Sequence, residues 1–181
     1  MGFSLTWCAL PENHAETFLR GLALAPTGEI EEDIPSSLIT TARLDTAWQL
    51  LVYNKYQCPF LEERDLRRMS ADYYVIFCRV EEHIMASASE MWSNGKRRWR
   101  LSHQGEDGPK GLDVEGNPPQ LYTAIRREME QAQIAAGGDN ANVDYIFEIP
   151  LRLAQSLVGF KHDEICRHVV DQKYTVLSRA R

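Results

Sequence analysis

Residues 86–103 read Ala-Ser-Ala-Ser-Glu-Met-Trp-Ser-Asn-Gly-Lys-Arg-Arg-Trp-Arg-Leu-Ser-His, with Asn94-Gly95 at the centre. Asn and Gly accept the positive φ that both central residues of a type I′ turn require, so the spacing predicts a two-residue β-hairpin. A hairpin fixes a register. Ser93 then faces Lys96; Trp92 faces Arg97, Glu90 faces Trp99 and Ala88 faces Leu101, and these last three pairs share one side of the ribbon. That side carries both tryptophans and a leucine and is predicted to pack inward. Glu90 becomes a diagonal neighbour of Arg97, and Arg97 lies over Trp92 as a cation–π pair. The other side sets Met91, Ser89 and Ser87 against Arg98, Arg100 and Ser102. Its ordinary reading is a solvated face whose cations discourage aggregation. Its sharper reading is a docking patch for an anion or an acidic partner.

Three segments share a grammar of apolar strand, proline and amphipathic helix. They are Phe3–Leu10 with Pro11 and a helix to about Leu24, Trp48–Gln57 with Pro59 and a helix near Leu61–Met69, and Tyr145–Ile149 with Pro150 and a helix to Phe160. Proline suits a first helical turn because the N–H it lacks has no partner there. Gly28–Pro35 is acidic and reads as a loop or edge strand, and Ser36–Asp45 fits either strand or helix. Tyr73–Met85 is β-rich and leads into the hairpin. Gln104–Pro119, with four glycines and three prolines, reads as a loop. A helix follows in which Leu121, Tyr122, Ile125, Met129 and Ala132 share a face, ending at Gly137-Gly138. The apolar positions of Lys161–Arg181 predict a last packed helix or strand.

Hairpins mixed with β–α crossovers give an α+β class. The expected architecture is a mixed, mostly antiparallel sheet with helices packed mainly on one face. The 181 residues suit a single domain, or two intertwined β-α-β halves, 1–72 and 73–181.

The formal charge of −6 argues against general nucleic-acid binding. No run reaches the length of a membrane span. Cys8, Cys58, Cys78 and Cys166 are scattered without Cys-x-x-Cys spacing, and Cys8 and Cys78, in apolar runs, read as buried free thiols of a reducing compartment. Met1–Thr6 formally matches an N-myristoylation pattern, but its alternation reads as a half-buried strand. No metal, phosphate-loop or dinucleotide motif appears, and no cofactor is implied.

Two sets of candidate residues emerge. Glu29, Glu31, Glu32, Asp33, Glu106 and Asp107 form the acidic surface of a small protein-binding module. A cytoplasmic immunity-type inhibitor, docking by charge on a basic toxin domain, is the leading expectation. The alternative is a small enzyme or ligand binder with a pocket near residues 104–119. There Glu81, His83 and His103 would meet as a two-histidine, one-carboxylate metal site. His162-Asp163 offers an oriented base without a nucleophile. Its ordinary reading is a cation near a helix C-terminus. A third reading is a homodimer through a Trp-rich sheet face.

Overall fold

A computed structural model describes residues 2–179. The first strand explains the architecture. In β1 (Ser4–Pro11), Leu5, Trp7 and Ala9 enter one core while Cys8 and Leu10 enter another on the opposite face. A strand apolar on both faces belongs in the middle of a covered sheet. Accordingly, β1 is flanked antiparallel by β4 (Trp48–Tyr53) and β5 (Val75–Glu81).

The sheet has nine strands in the order β2-β9-β3-β4-β1-β5-β6-β7-β8, and every pairing is antiparallel. Its edges are β2 (Leu24–Glu32) and β8 (Leu112–Gly116). The C-terminal strand β9 (Lys173–Arg179) lies between β2 and β3 (Ile39–Arg43), so the two ends of the chain are interlaced. The hairpin strands β6 (Ala86–Ser93) and β7 (Lys96–His103) complete the other half.

The two long helices, α3 (Leu121–Ala135) and α4 (Glu148–Val158), cover the face holding Trp7, Trp99 and Leu101. The short helices α1 (Ala15–Gly21) and α2 (Glu63–Met69) cover the face holding Cys8, Phe77 and Trp92. The class is the expected α+β, with most of the helix on one face.

The turn is as read: Asn94 and Gly95 have φ of 52° and 65°. Ser93 pairs with Lys96 and Trp92 with Arg97, but the register then shifts, so that Met91 faces Trp99, Glu90 faces Arg100 and Ser89 faces Leu101. Arg98 is the extra residue of a β-bulge. The two tryptophans consequently enter opposite cores rather than one. The cause lies in the sheet: β6 and β7 separate two apolar layers, and each layer takes one large ring.

Three other segments depart from expectation. The first helix ends at Gly21, and Leu24 already belongs to β2. Residues 104–119 contain the edge strand β8, because Leu112 and Val114 alternate and pair with β7. Residues 145–147 form no strand. The Asp144 carboxylate accepts the Ile146 and Phe147 N–H groups, and Gln133 Oε1 accepts that of Tyr145. Those donors are therefore lost to any sheet.

Candidate functional site

The bulge decides which arginines converge. Without Arg98 in the count, Arg97 and Arg100 share a face of β7, the face on which β5 presents Phe77 and Arg79. Opposite them stands the segment from Asn54 to Glu62. Its position is fixed by Thr6 Oγ1, which donates to the Tyr56 carbonyl at 2.7 Å, and by Asn54 Nδ2, which donates to the Ser37 carbonyl at 2.6 Å. Strand face and segment enclose a cavity of about 690 Å³ lined by Tyr53, Tyr56, Phe77, Arg79, Arg97 and Arg100, among others. That volume is in the range of small-molecule sites.

The three guanidinium groups differ in how they are satisfied. Arg97 lies over the Trp92 ring at 5.8 Å and pairs with Glu115 at 2.8 Å. Arg100 pairs with Glu90 and Glu115, each at 3.4 Å. Glu90 is buried and accepts the Trp92 indole N–H at 2.7 Å, which fixes its carboxylate between the arginines. Arg79 lies over the Tyr56 ring at 5.4 Å, and its buried Nε has no hydrogen-bond partner. Among the described residues, Arg79 is the one buried or half-buried Lys, Arg, Asp or Glu side chain with neither an ion pair nor a hydrogen bond. Leaving a half-buried cation unmatched is costly. An anion entering the cavity would match it. The neighbouring thiol is inert, since burial pushes Cys58 up to about 12.

The histidines and their acids are arranged differently. His83 Nδ1 and Glu81 Oε1 are 2.6 Å apart, and Ser4 Oγ also donates to Glu81. His103 is fully buried, and its Nε2 contacts Asp144 Oδ2 at 2.9 Å. His83 and Glu81 thus meet, while His103 is tied to Asp144. Among the described residues, no three His, Cys, Asp or Glu side chains are placed to hold a metal. A cleft of about 720 Å³ lies beyond the end of β5, with Glu82, His83, Asp144, Glu148 and Lys161 on its wall and no residue of 104–119 lining it. Its acids are already engaged. Glu82 takes the Phe3 N–H at 2.8 Å and contacts His162 Nε2 at 3.0 Å. Asp163 pairs with Lys161 at 2.8 Å and stands 4.0 Å from His162 Nδ1, so the neighbouring His and Asp do not form a tight dyad.

The six acidic candidates fall into two groups. Glu29, Glu31 and Glu32 lie in edge strand β2 and Asp33 directly follows it, whereas Glu106 and Asp107 precede edge strand β8. Eight strand spacings at about 4.8 Å put roughly 38 Å between those edges. Glu31 is occupied locally. Burial raises its carboxyl, but hydrogen bonds from Ser37 and Ser36 outweigh that and hold it below the ordinary value.

Comparison with protein-family models, with curated proteins and with solved structures found no match. Sequence reasoning singled out Arg97 and Arg100 as hairpin cations but missed Arg79 and Tyr56. The available signal was a lone arginine in the otherwise apolar run at residues 75–80 of β5.

Proposed function

We propose that this chain is a binding protein for a small organic anion carrying an aromatic or other flat apolar part, held in the arginine-lined cavity. The observation that carries this reading is Arg79, a half-buried guanidinium without protein partner, stacked on Tyr56 at the wall of a ligand-sized cavity. The anion would take the free edge of Arg79 in charge-assisted hydrogen bonds. The flat part would lie among Tyr53, Tyr56 and Phe77. A binding role fits the rest of the molecule, where the other interior acids and bases are engaged with one another.

Phenyl phosphate is a suitable probe. Titration followed by NMR should shift resonances of residues 54–62 and of β5 and β7, and Arg79→Gln should weaken binding at least tenfold. The Arg79 side chain makes no hydrogen bond within the protein, so the variant is expected to keep its fold. Unchanged spectra at millimolar phenyl phosphate would refute the proposal.

A second reading retains a basic protein partner, such as a toxin domain inhibited in immunity-type fashion. Exposed Glu29, Glu32 and Asp33 along edge strand β2 support it. Glu106 and Asp107 would then lie outside the contact. Binding that ignores ionic strength would count against it.

A further inference from the structure

The short helices leave part of their apolar sheet face uncovered. On that face Ile39 of β3 stands opposite Tyr53 of β4, and Leu177 of β9 belongs to the same buried cluster. Beside them lies a cavity of about 410 Å³, lined by Leu38, Ile39, Tyr53, Phe60 and Leu177 among others, and by no residue of α1 or α2. Tyr53 and Pro59 also belong to the wall of the arginine cavity, but the two cavities have no cation in common. The rim is fixed by the chain itself. The Leu38 carbonyl accepts the Asn54 backbone N–H at 2.9 Å, and the Ser37 carbonyl accepts Asn54 Nδ2 at 2.6 Å. The recess is therefore pre-formed, as small-molecule sites usually are.

Its walls select the shape of an occupant. Tyr53 and Phe60 meet edge to face at 5.3 Å, and the Arg179 guanidinium lies over the Phe60 ring at 5.6 Å. Both rings are thus engaged, and the surface left to a ligand is largely aliphatic, from Leu38, Ile39, Pro59 and Leu177. Leu38 is 48% exposed, an apolar side chain at the mouth. The recess also carries one charge. Leu177 and Arg179 are two residues apart on β9 and so point to the same face. No Asp or Glu lines the cavity. Among the described residues, Arg179 has neither an ion pair nor a side-chain hydrogen bond, which leaves the edge of its guanidinium fork open.

We infer that this recess is a second ligand site, for an aliphatic carboxylate of medium chain length. The tail would lie among Leu38, Ile39 and Leu177, and the carboxylate would take the edge of Arg179 in a charge-assisted fork. The inference goes beyond the anion-binding reading above. Arg79 takes no part in it, and either site can fail alone.

The test is NMR titration of the full chain with butanoate, hexanoate, octanoate and octan-1-ol. Affinity for the acids is expected to rise at least fivefold with each two-carbon step, since burial of one methylene strengthens binding about fourfold. Octanoate should shift resonances of residues 37–39 and 176–179 and bind at least fivefold tighter than octan-1-ol. Arg179→Gln should abolish that preference while leaving the alcohol's affinity within twofold. Leu38→Asp sets a repelling charge at the mouth and should weaken octanoate at least tenfold. Arg179 and Leu38 are both exposed, so these variants are expected to keep the fold. Arg79→Gln should leave octanoate affinity unchanged while it weakens phenyl phosphate. Unchanged spectra at millimolar octanoate, equal affinity along the acid series, or an unaltered affinity in Leu38→Asp overturns the inference. So does an octanoate affinity that falls in Arg79→Gln and not in Arg179→Gln, an outcome that would leave the arginine cavity standing as the one anion site.

Discussion

Glu90 links the fold to the candidate site through a single carboxylate. It is buried, accepts the Trp92 indole N–H and faces two arginines. Those roles pull in opposite directions. For stability, the carboxylate offsets Arg97 and Arg100, two cations that share a face of β7. For binding, it competes with any incoming anion for the same guanidinium groups. Glu90→Gln keeps an oxygen for Trp92 and removes the charge. Urea denaturation should show a loss of about 1–3 kcal/mol, the usual scale for weakening a buried charged pair. The same variant should bind phenyl phosphate several-fold tighter. A weaker affinity would mean that Glu90 orients the arginines more than it competes for them.

At the scale of elements, the bulge in β7 is the decisive feature, and a glycine on the adjacent strand β8 holds it. Gly116 has φ of 73°, and a Cβ there would fall 2.2 Å from the Arg98 carbonyl oxygen. Gly116→Ala therefore meets both a left-handed backbone and a backbone clash. It is expected to lower stability by about 2 kcal/mol or more and to release β8. Hydrogen exchange would show this as lost protection over Leu112–Gly116, with β1 and β5 unchanged. The same bulge marks what could be read beforehand. Asn94-Gly95 is a local signal, because its backbone conformation depends on those two residues alone, and the turn was legible. The register beyond Trp92 was not, because it depends on apolar layers supplied from both ends of the chain. Arg97 over Trp92 survived, lying before the shift, whereas Arg100 changed faces with it. The acidic residues were recognisable as exposed, but their separation follows from β9 inserting between β2 and β3, a pairing of distant segments. Arg79 and Tyr56 meet only through such long-range placement.

For the whole molecule, burial on both faces of one wide sheet has a consequence for its response to pH. All four cysteines are buried and free. Burial pushes the Cys8, Cys78 and Cys166 thiols up and Cys58 to about 12, and it likewise raises the Tyr73 phenol to about 12 and that of Tyr174. Each group keeps its proton in the folded chain and loses it near pH 8.5 or 10 when unfolded. The unfolded state then binds fewer protons, so stability falls as pH rises. Each thiol contributes a slope of up to about 1.4 kcal/mol per pH unit between its unfolded and folded values. Lys161 acts in the same direction at higher pH. Burial would lower it, but Asp163 and Glu148 hold it above the ordinary lysine value, so its ion pairs stabilise the fold below about pH 10.4 and are lost above its folded value. Urea midpoints measured under reducing conditions should therefore be level from about pH 6 to 8 and drop steeply by pH 10. Cys78→Ala, at the centre of the sheet, leaves a small cavity and starts from a lower midpoint, yet its decline with pH should be shallower by about one thiol's share. An equal slope in that variant would show that the thiols are not what sets the alkaline limit of this fold.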